Sequence, residues 1–255
     1  PVDRLATFSL DDERLTAADV VLFGKTNSEH AGPLIERLRG RVQTVCWQHD
    51  LYGIRARHPF PAEYAADVVV STDGDAAKHS SLADYHVIRQ GIHEPEAYHH
   101  PAAIEFPVVF VGNSSRFQPG RSELVSWLAA TYGSRFRHVT NVQGTRLNDL
   151  LARSAVVVGD SYPSPWYWSN RIYEITGRGG FFLHPVTPGL DAEFTDGEHY
   201  VSYRRGDFDG LRATINRYLS DVYGRERIRR AGHELTRDRY TYRHRCETLI
   251  QTLGR

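Results

Sequence analysis

The chain has 255 residues, 40% of them hydrophobic and 24% charged, and a formal net charge of zero, as in an ordinary soluble globular protein. No apolar run approaches the roughly 20 residues of a membrane span, and residues 1–15 lack the pattern of a signal peptide. With only Cys46 and Cys246, which are far apart, a zinc knuckle or disulfide scaffold is excluded and a reducing, cytoplasmic location is expected.

Strands and helices alternate in the first part of the chain. Short apolar strands are predicted at residues 18–24, 42–47, 67–71 and 85–88. Helices are predicted at residues 29–39, with Ser28 as the cap, and at residues 75–82. This alternation is typical of a parallel sheet with helices on its faces. Residues 91–106 contain two prolines and show no period, so they are the predicted linker.

The alternation restarts after the linker. The predicted strands are residues 107–112, 136–140, 155–159, 181–183 and 201–203. The predicted helices are residues 121–132, 146–152, 207–219, 225–239 and 242–253, with a short one carrying Asn170, Arg171 and Glu174. The length suits two Rossmann-like α/β domains, at residues 1–100 and 101–240, followed by a C-terminal helix at residues 241–255 that can cross back to the first domain.

Positive charge is concentrated in the second part of the chain. Residues 1–100 hold 10 Lys+Arg and 15 Asp+Glu, whereas residues 101–255 hold 21 and 16. All of these cations except Lys25 and Lys78 are arginines, which favour bidentate phosphate contacts. We therefore expect an anionic ligand to be steered to the second domain, although a GC-rich genome would also raise the arginine share.

A loop of small residues follows the strand at residues 107–112. It contains Gly112 and Asn113, with Arg116 and Arg121 behind it and a helix after it. Small residues allow backbone N–H groups to approach a phosphate, and the helix N-terminus adds partial positive charge. The loop matches neither a Walker A motif nor GxGxxG, so an ordinary β–α turn is the alternative.

A second candidate is the helix face that carries Asn170, Arg171 and Glu174, which lie within about one turn. Arg171 could pair with a phosphate while Glu174 accepts hydrogen bonds from ribose hydroxyls. The alternative is a local ion pair between Arg171 and Glu174. The glycines at residues 177–180 are typical of a helix end and need no ligand.

Ser161 and His199 suggest a different chemistry. The sequences around them, GDS and DGEH, resemble the GDS and DxxH blocks of GDSL-type esterases. In that family the two blocks lie at opposite ends of the domain, whereas here they are close together in mid-chain. An esterase is therefore kept as an alternative function.

Three weaker signals lie elsewhere. Asp73-Gly74-Asp75 is a DxD sequence that could bind a metal, but Asp73 is more simply a helix N-cap. His49 and Asp50 end a strand and are expected to face an interdomain cleft. The aromatic loop could stack on a base or a sugar, or it could simply pack; its members are Tyr162, Trp166, Tyr167 and Trp168.

Four sequence blocks follow one another between residues 107 and 250: FVGNSSRF, SNRIYEITGRGGFFL, TPGLDAEFTDGEHYVSY and YLSDVYGRERIRRAGHELTRDRYTYRHRCETLI. Together they resemble the group 1 type C-terminal domain of GT-B glycosyltransferases, as in spore-maturation-like (CgeB-like) proteins of bacteria and phages. The first hundred residues match mainly in layout, plus WQHDLYG. The resemblance implies an α/β fold of two Rossmann-like domains facing each other across a cleft, with a short N-terminal domain.

The resemblance also implies a reaction. A nucleoside-diphosphate sugar, with UDP or GDP, would bind the second domain as co-substrate, the acceptor would bind the first, and no cofactor or obligatory metal would be needed. Glu174 falls at the ribose-binding glutamate, and Asn113 and Arg121 fall in the loop that contacts the diphosphate. The loop beside the transferred sugar would contain Thr187, Pro188 and Gly189.

Two departures leave the sugar and the stereochemistry open. Trp166 stands where retaining relatives often carry the first of two acids, and the usual glycine-rich loop near the N-terminus is not evident. In the expected mechanism Arg121, Arg171 and the Gly112 loop stabilise charge on the leaving diphosphate.

An inverting enzyme would use His49 or Asp50 as general base. In a retaining enzyme the leaving phosphate would take the acceptor proton and His49 would orient the sugar. A nucleotide-sugar-binding module without turnover is the main alternative. The acceptor remains open among a small molecule, a protein, a lipid and DNA, and so does the oligomeric state.

Overall fold

The computed structural model describes residues 13–24, 28–49, 65–75, 82, 84–113 and 120–254, with the backbone alone at residues 28–30. The chain forms two compact units that divide between Arg89 and Gln90. Each unit is built around its own parallel sheet. Within these residues, no helix combines the length and the apolar character that a membrane crossing requires.

The first unit consists of a four-stranded sheet with helices α1 (Glu13–Ala17) and α2 (Ser28–Leu38). Its strands are β1 (Val20–Phe23), β2 (Gln43–Gln48), β3 (Val68–Ser71) and β4 (Tyr85–Val87). They lie side by side in chain order and every neighbouring pair is parallel. All of β3 is buried, which is why its sequence is a continuous apolar run rather than an alternating one.

The four strands predicted for the first unit are thus confirmed, with ends that differ by one or two residues. The helix predicted at residues 75–82 lies almost entirely outside the described residues.

The second unit contains a five-stranded parallel sheet in the order β6-β5-β7-β8-β9. These strands are β5 (Phe106–Val111), β6 (Phe136–Val139), β7 (Ser154–Val158), β8 (Phe182–Pro185) and β9 (Val201–Tyr203). The helices are α3 (Arg121–Tyr132), α4 (Thr145–Ala152), α5 (Arg171–Gly177), α6 (Phe208–Ser220), α7 (Val222–Arg239) and α8 (Tyr242–Thr252). The prediction of parallel α/β architecture in both halves is confirmed.

Side chains of the central strands alternate between two cores. In β5, Val108 and Phe110 enter the core that includes Leu128 of α3, whereas Val109 enters the core that includes Leu151 of α4. Because side chains of a strand alternate between the faces of the sheet, the sheet is covered by helices on both sides. The carboxyl ends of β5, β6 and β7 therefore meet at one edge, between two helical layers.

The segment after Gln90 is fixed to the C-terminal part of the chain. Ile92 is fully buried and forms a parallel bridge with Thr241. Its backbone N–H donates to the Tyr240 carbonyl at 3.0 Å, and its carbonyl accepts from the Tyr242 N–H at 2.9 Å. Residues 90–105, which include most of the predicted linker, thus belong to the second unit together with α8.

Candidate functional site

A cavity of about 440 Å³ opens over the carboxyl ends of β5 and β6. Its walls come from residues 111–113 after β5, residues 141–144 after β6, the start of α4, residues 170–178 around α5, and Glu96. The structure therefore brings together five residues that the sequence singled out: Gly112, Asn113, Asn170, Arg171 and Glu174. Parallel α/β sheets bind ligands at this edge because loops and helix N-termini converge there.

Arg171 covers the turn at the end of β5. Its Nε donates to the Val111 carbonyl at 2.9 Å, and its Nη1 lies 3.4 Å from the Ser169 Oγ. Gly112 adopts a φ of 133°, and a Cβ built on it would overlap the Arg171 guanidinium. A glycine is needed at this position both for the backbone conformation and for the close approach.

The cavity therefore presents a partly buried cation. Burial, reinforced by the positive charge of Arg121, lowers the pKa of Arg171 to about 10. Arg171 remains charged at neutral pH, and a phosphate in the cavity would compensate the desolvation of its guanidinium.

Glu174 lies three residues after Arg171 on α5. Its carboxylate is bound by Arg178, which follows four residues later. The local Arg171–Glu174 ion pair, offered above as the alternative, is not formed between these two described residues, because Arg171 instead bonds Val111 and Ser169. Burial raises the pKa of Glu174 from the ordinary 4.5 to about 7. The ionised form of Glu174 is a strong hydrogen-bond acceptor for ligand hydroxyl groups, and it becomes the main form only above about pH 7.

Arg178 holds two cavity carboxylates at once. It is 2% exposed, and it binds Glu174 through Nη1 and Glu96 through Nη2. Its Nε donates to Asn148 Oδ1 at 3.0 Å, while the Asn148 amide donates to the carbonyls of Glu96 and Tyr98 at 3.0 and 2.8 Å. Buried charges are stable only when paired in this way, so Arg178 fixes the position of both carboxylates.

Sequence patterns do not indicate Arg178, Asn148 or Glu96 as site residues. They place Arg178 at a helix end and Glu96 in the linker. Asn148 carried a signal that could have been used: it is a polar residue on the buried face of α4 between Leu147 and Leu151. A buried amide needs partners, and these partners are the backbone next to Glu96.

Arg121 is positioned to hold the loop after β5. It is 4% exposed, its Nε donates to Asp160 Oδ2 at 3.1 Å, and its Nη1 donates to the Asn113 carbonyl at 3.1 Å. Asp160 is fully buried and also accepts from Arg205 Nη1 at 2.6 Å. Arg121 does not line the cavity, and its contact with a diphosphate stays a prediction. Arg116 lies outside the described residues.

A second loop pair lies beside the cavity, after β7 and β8. Thr187, Pro188 and Gly189 do not line the cavity. The Pro188 carbonyl accepts from the Trp166 N–H at 3.0 Å, and the Trp166 ring covers Gly189. The Thr187 hydroxyl donates to the Pro185 carbonyl at 3.0 Å.

The aromatic residues of the loop at residues 162–168 have different environments. Trp168 is buried and its Nε1 donates to the Tyr173 hydroxyl at 2.8 Å, so it packs rather than stacks on a ligand. Trp166 is 49% exposed and has a φ of 61°. The left-handed backbone region is uncommon for any residue other than glycine and is unusual for a bulky one, at a cost of order 1–3 kcal/mol.

The predicted acceptor-side residues belong to the first unit. His49 directly follows β2; its carbonyl accepts from the Thr72 hydroxyl at 3.0 Å, and its ring lies 5.1 Å from that of Trp47. Asp50 lies outside the described residues. Asp73 is buried, and its Oδ1 accepts from the Asp75 N–H at 3.1 Å, which forms a local turn.

Ser161 and His199 do not form the nucleophile–base pair that an esterase requires. Ser161 is 1% exposed and its Oγ accepts from the Ser169 N–H at 3.0 Å. The His199 Nδ1 accepts from the Thr195 N–H at 2.9 Å. No hydrogen bond joins these two described side chains, and both stabilise their own loops.

Each unit is built on a parallel Rossmann-like sheet, and together they define an α/β protein of GT-B fold. A cavity of arginine and carboxylate groups lies over the strand ends of the second sheet. Residues 95–251 match the family described as "Glycosyl transferase-like" (Glyco_trans_1_2). The chain belongs to this family. The match begins one residue before Glu96 and includes every residue that lines the cavity.

Solved structures support the same fold. The chain is 15% identical to sucrose-phosphate synthase from Thermosynechococcus elongatus, with a TM-score of 0.70 over 93% of this chain and 73% of that one. For Anabaena HepE in complex with UDP and glucose the identity is 13% and the TM-score 0.72, over 95% and 79%. An α-glucosyltransferase in complex with UDP-glucose and abasic DNA is 9% identical, with a TM-score of 0.73 over 95% and 82%. No curated protein matches significantly.

Proposed function

We propose that the protein transfers a sugar from a nucleoside-diphosphate sugar to a hydroxyl group of an acceptor, and that the donor nucleotide binds in the cavity of the second unit. The observation that carries this proposal is the pairing of Arg171 over Gly112 with Glu174 one helical turn away, in one cavity. Arg171 supplies charge-assisted donors for a diphosphate and Glu174 supplies acceptors for two ribose hydroxyls.

We also propose an order for the parts of the donor along the cavity. Residues 141–144 form the wall that is left for the base, because Glu174 and Arg171 take the ribose and the diphosphate. HepE has been solved with UDP and with UDP-glucose, which supports UDP as the first nucleotide to test. GDP is the second.

The chemistry requires charge stabilisation as the bond between sugar and phosphate breaks. Arg171 and the backbone around Gly112 are preorganised for the negative charge that develops on the diphosphate. In the described part of the chain, no group of three or more His, Cys, Asp or Glu side chains could hold a metal ion. We therefore propose that arginine supplies the positive charge that metal ions supply in other transferases.

The acceptor proton has two possible destinations. If the reaction inverts the anomeric centre, His49 or Asp50 is the proposed general base. If it retains the configuration, the leaving phosphate takes the proton. Anomeric analysis of the product by NMR separates these two cases.

A thermal-shift screen against UDP, GDP, UDP-glucose and GDP-mannose tests donor binding. A ligand at about 100 times its dissociation constant adds about 2.7 kcal/mol to stability, so a clear rise in melting temperature is expected with one nucleotide class. Glu174→Ala should abolish that rise, whereas Glu234→Ala, on the exposed face of α7, should not. If no nucleotide stabilises the wild-type protein, the proposal is wrong.

Turnover is measured separately, as release of the nucleoside diphosphate in the presence of hydroxyl acceptors. Release that depends on Arg171 supports a transferase. Tight donor binding with no release across sugar, protein, lipid and DNA acceptors would instead support the alternative of a binding module without turnover, for which the replacement of an acid by Trp166 is the motivating feature.

A further inference from the structure

Trp166 is an exposed aromatic residue held in a strained backbone conformation. Among the described residues only Asn141 and Trp166 have a positive φ without being glycine. Asn141 lines the cavity and asparagine tolerates this conformation, whereas tryptophan does not adopt it readily. Strained residues of this kind cluster at functional sites, because the surrounding structure must be arranged to maintain them.

The surrounding contacts fix the Trp166 loop on both sides. The Trp166 N–H is bound to the Pro188 carbonyl at 3.0 Å. The Trp166 ring covers Gly189, where a Cβ would overlap it. The loop is closed at its end by the bond from the Ser169 N–H to the Ser161 Oγ at 3.0 Å. The indole is therefore rigidly presented, although it is 49% exposed, and a preorganised surface binds a ligand with little loss of conformational entropy.

The order of the strands places the Trp166 loop on the side of the cavity where β7 and β8 end. The cavity lies over the ends of β6 and β5 and the start of α5, and the loop containing Trp166 connects β7 to α5. Gly189 follows β8, the next strand of the sheet. From β6 to β8 there are three strand spacings, about 14 Å. A ligand with its base over β6 and its diphosphate at Gly112 thus continues toward Trp166.

From these observations we infer that Trp166 is the stacking surface for the transferred sugar, and that it selects a pyranose with an apolar face of C–H groups. The inference rests on the proposed function, because it needs a nucleoside-diphosphate sugar in the cavity. The indole supplies a flat apolar surface without a charge. The Thr187 hydroxyl, whose proton is given to the Pro185 carbonyl, keeps acceptor capacity for a sugar hydroxyl beside it.

The test separates affinity for the sugar from affinity for the nucleotide. Trp166→Asn removes the ring but keeps a residue that tolerates a positive φ, and Trp166→Phe keeps an aromatic face. Binding of UDP and of UDP-glucose is measured by titration calorimetry for each variant. Tyr223→Ala removes a tyrosine that is 83% exposed on α7 and serves as control.

We expect Trp166→Asn to lower the affinity for UDP-glucose roughly tenfold, while the affinity for UDP stays that of the wild type. Trp166→Phe should recover most of the loss, and Tyr223→Ala should change neither ligand. If UDP-glucose binds to Trp166→Asn as tightly as to the wild type, Trp166 does not contact the sugar. If the affinity for UDP falls by the same factor as that for UDP-glucose, Trp166 only maintains the loop, and the inference is also overturned.

Tryptophan emission gives a second readout. The difference in emission between the UDP-glucose and UDP complexes should be present in the wild type and absent in Trp166→Phe, and its persistence would contradict the inference. Failure of the proposed function looks different, since then neither UDP, GDP, UDP-glucose nor GDP-mannose binds the wild-type protein.

Discussion

The Arg171 guanidinium lies directly over Gly112, with its Nε bound to the Val111 carbonyl at 2.9 Å. The end of β5 and the start of α5 are thereby held together at the proposed diphosphate site. Neither residue can be enlarged or moved without displacing the other.

Gly112→Ala should weaken donor binding while the protein still folds. A Cβ at this position displaces the guanidinium, and we expect the affinity for UDP or GDP to fall at least roughly tenfold. Gly133→Ala is the matched control, because Gly133 also has a positive φ, of 52°, but has open space around it. Calorimetric titration measures the nucleotide affinity of both variants. An equal loss of affinity in Gly112→Ala and Gly133→Ala would show that backbone strain alone is responsible.

Arg171→Ala should reduce the turnover rate by about 10²–10³-fold, the usual loss when one preorganised donor is removed from a developing negative charge. Arg171→Lys should recover little of it, because an ammonium group lacks the planar fork that reaches both Val111 and a phosphate. The rate is followed as release of nucleoside diphosphate, with Arg212→Ala, an exposed arginine on α6, as control. A fully active Arg171→Lys would contradict a bidentate role.

The raised pKa of Glu174 predicts that the affinity for the nucleotide depends on pH. Its pKa is raised by burial to about 7, and only the carboxylate accepts two hydroxyl hydrogen bonds. Nucleotide affinity should therefore rise as the pH increases through about 7. Glu174→Gln should remove this dependence, and any dependence that persists in Glu174→Gln belongs to the phosphates of the ligand. Titrations from about pH 5 to about pH 9 provide the measurement.

The raised pKa of Glu174 also affects the stability of the fold, which should fall as the pH increases, whereas the nucleotide affinity should rise. Because the folded-state pKa of Glu174 is above the unfolded value, the protonated form is favoured by folding. Its contribution is present below about pH 4.5 and is lost as the pH rises to about 7. Unfolding by urea across this range should show a steeper decline for the wild type than for Glu174→Gln. Parallel curves would mean that Arg178 compensates the burial completely.

Arg178→Ala should destabilise the second unit by about 3 kcal/mol, because it leaves the carboxylates of Glu96 and Glu174 without their shared partner. Arg153→Ala, which removes an exposed pair with Glu105, should cost less than about 1 kcal/mol. Urea unfolding measures both. An Arg178→Ala variant as stable as Arg153→Ala would show that the two carboxylates are satisfied by water.

The parallel strands were predictable because burial on both faces leaves a direct trace in the sequence. The apolar run of β7 is short, rich in valine and followed by Gly159, which favours a buried strand over a helix segment. Gly112, Arg171 and Glu174 were also identified, because they lie within a few residues of a strand end or on one helical turn. Patterns that span so few residues can be recognised in a single sequence.

The contacts between distant segments could not be predicted in the same way. Arg178 meets Glu96, and Arg121 meets Asp160, only because the order of the strands brings these elements together. Local patterns alone assign Arg178 to a helix end and Ser161 to a catalytic motif, since local spacing is the same with or without a distant partner. Tertiary packing decides between those interpretations.

The bridge between Ile92 and Thr241 has a consequence for how the protein is made. Glu96 lies four residues after Ile92, which is bonded through its backbone to Tyr240 and Tyr242. During translation, the segment bearing Glu96 emerges long before these partners, while α3 to α7 are still being synthesised. The cavity wall that contains Glu96 is therefore fully anchored only after residues 240–242 have been synthesised. A nascent chain stalled upstream of them would hold Glu96 through Arg178 and Asn148 alone.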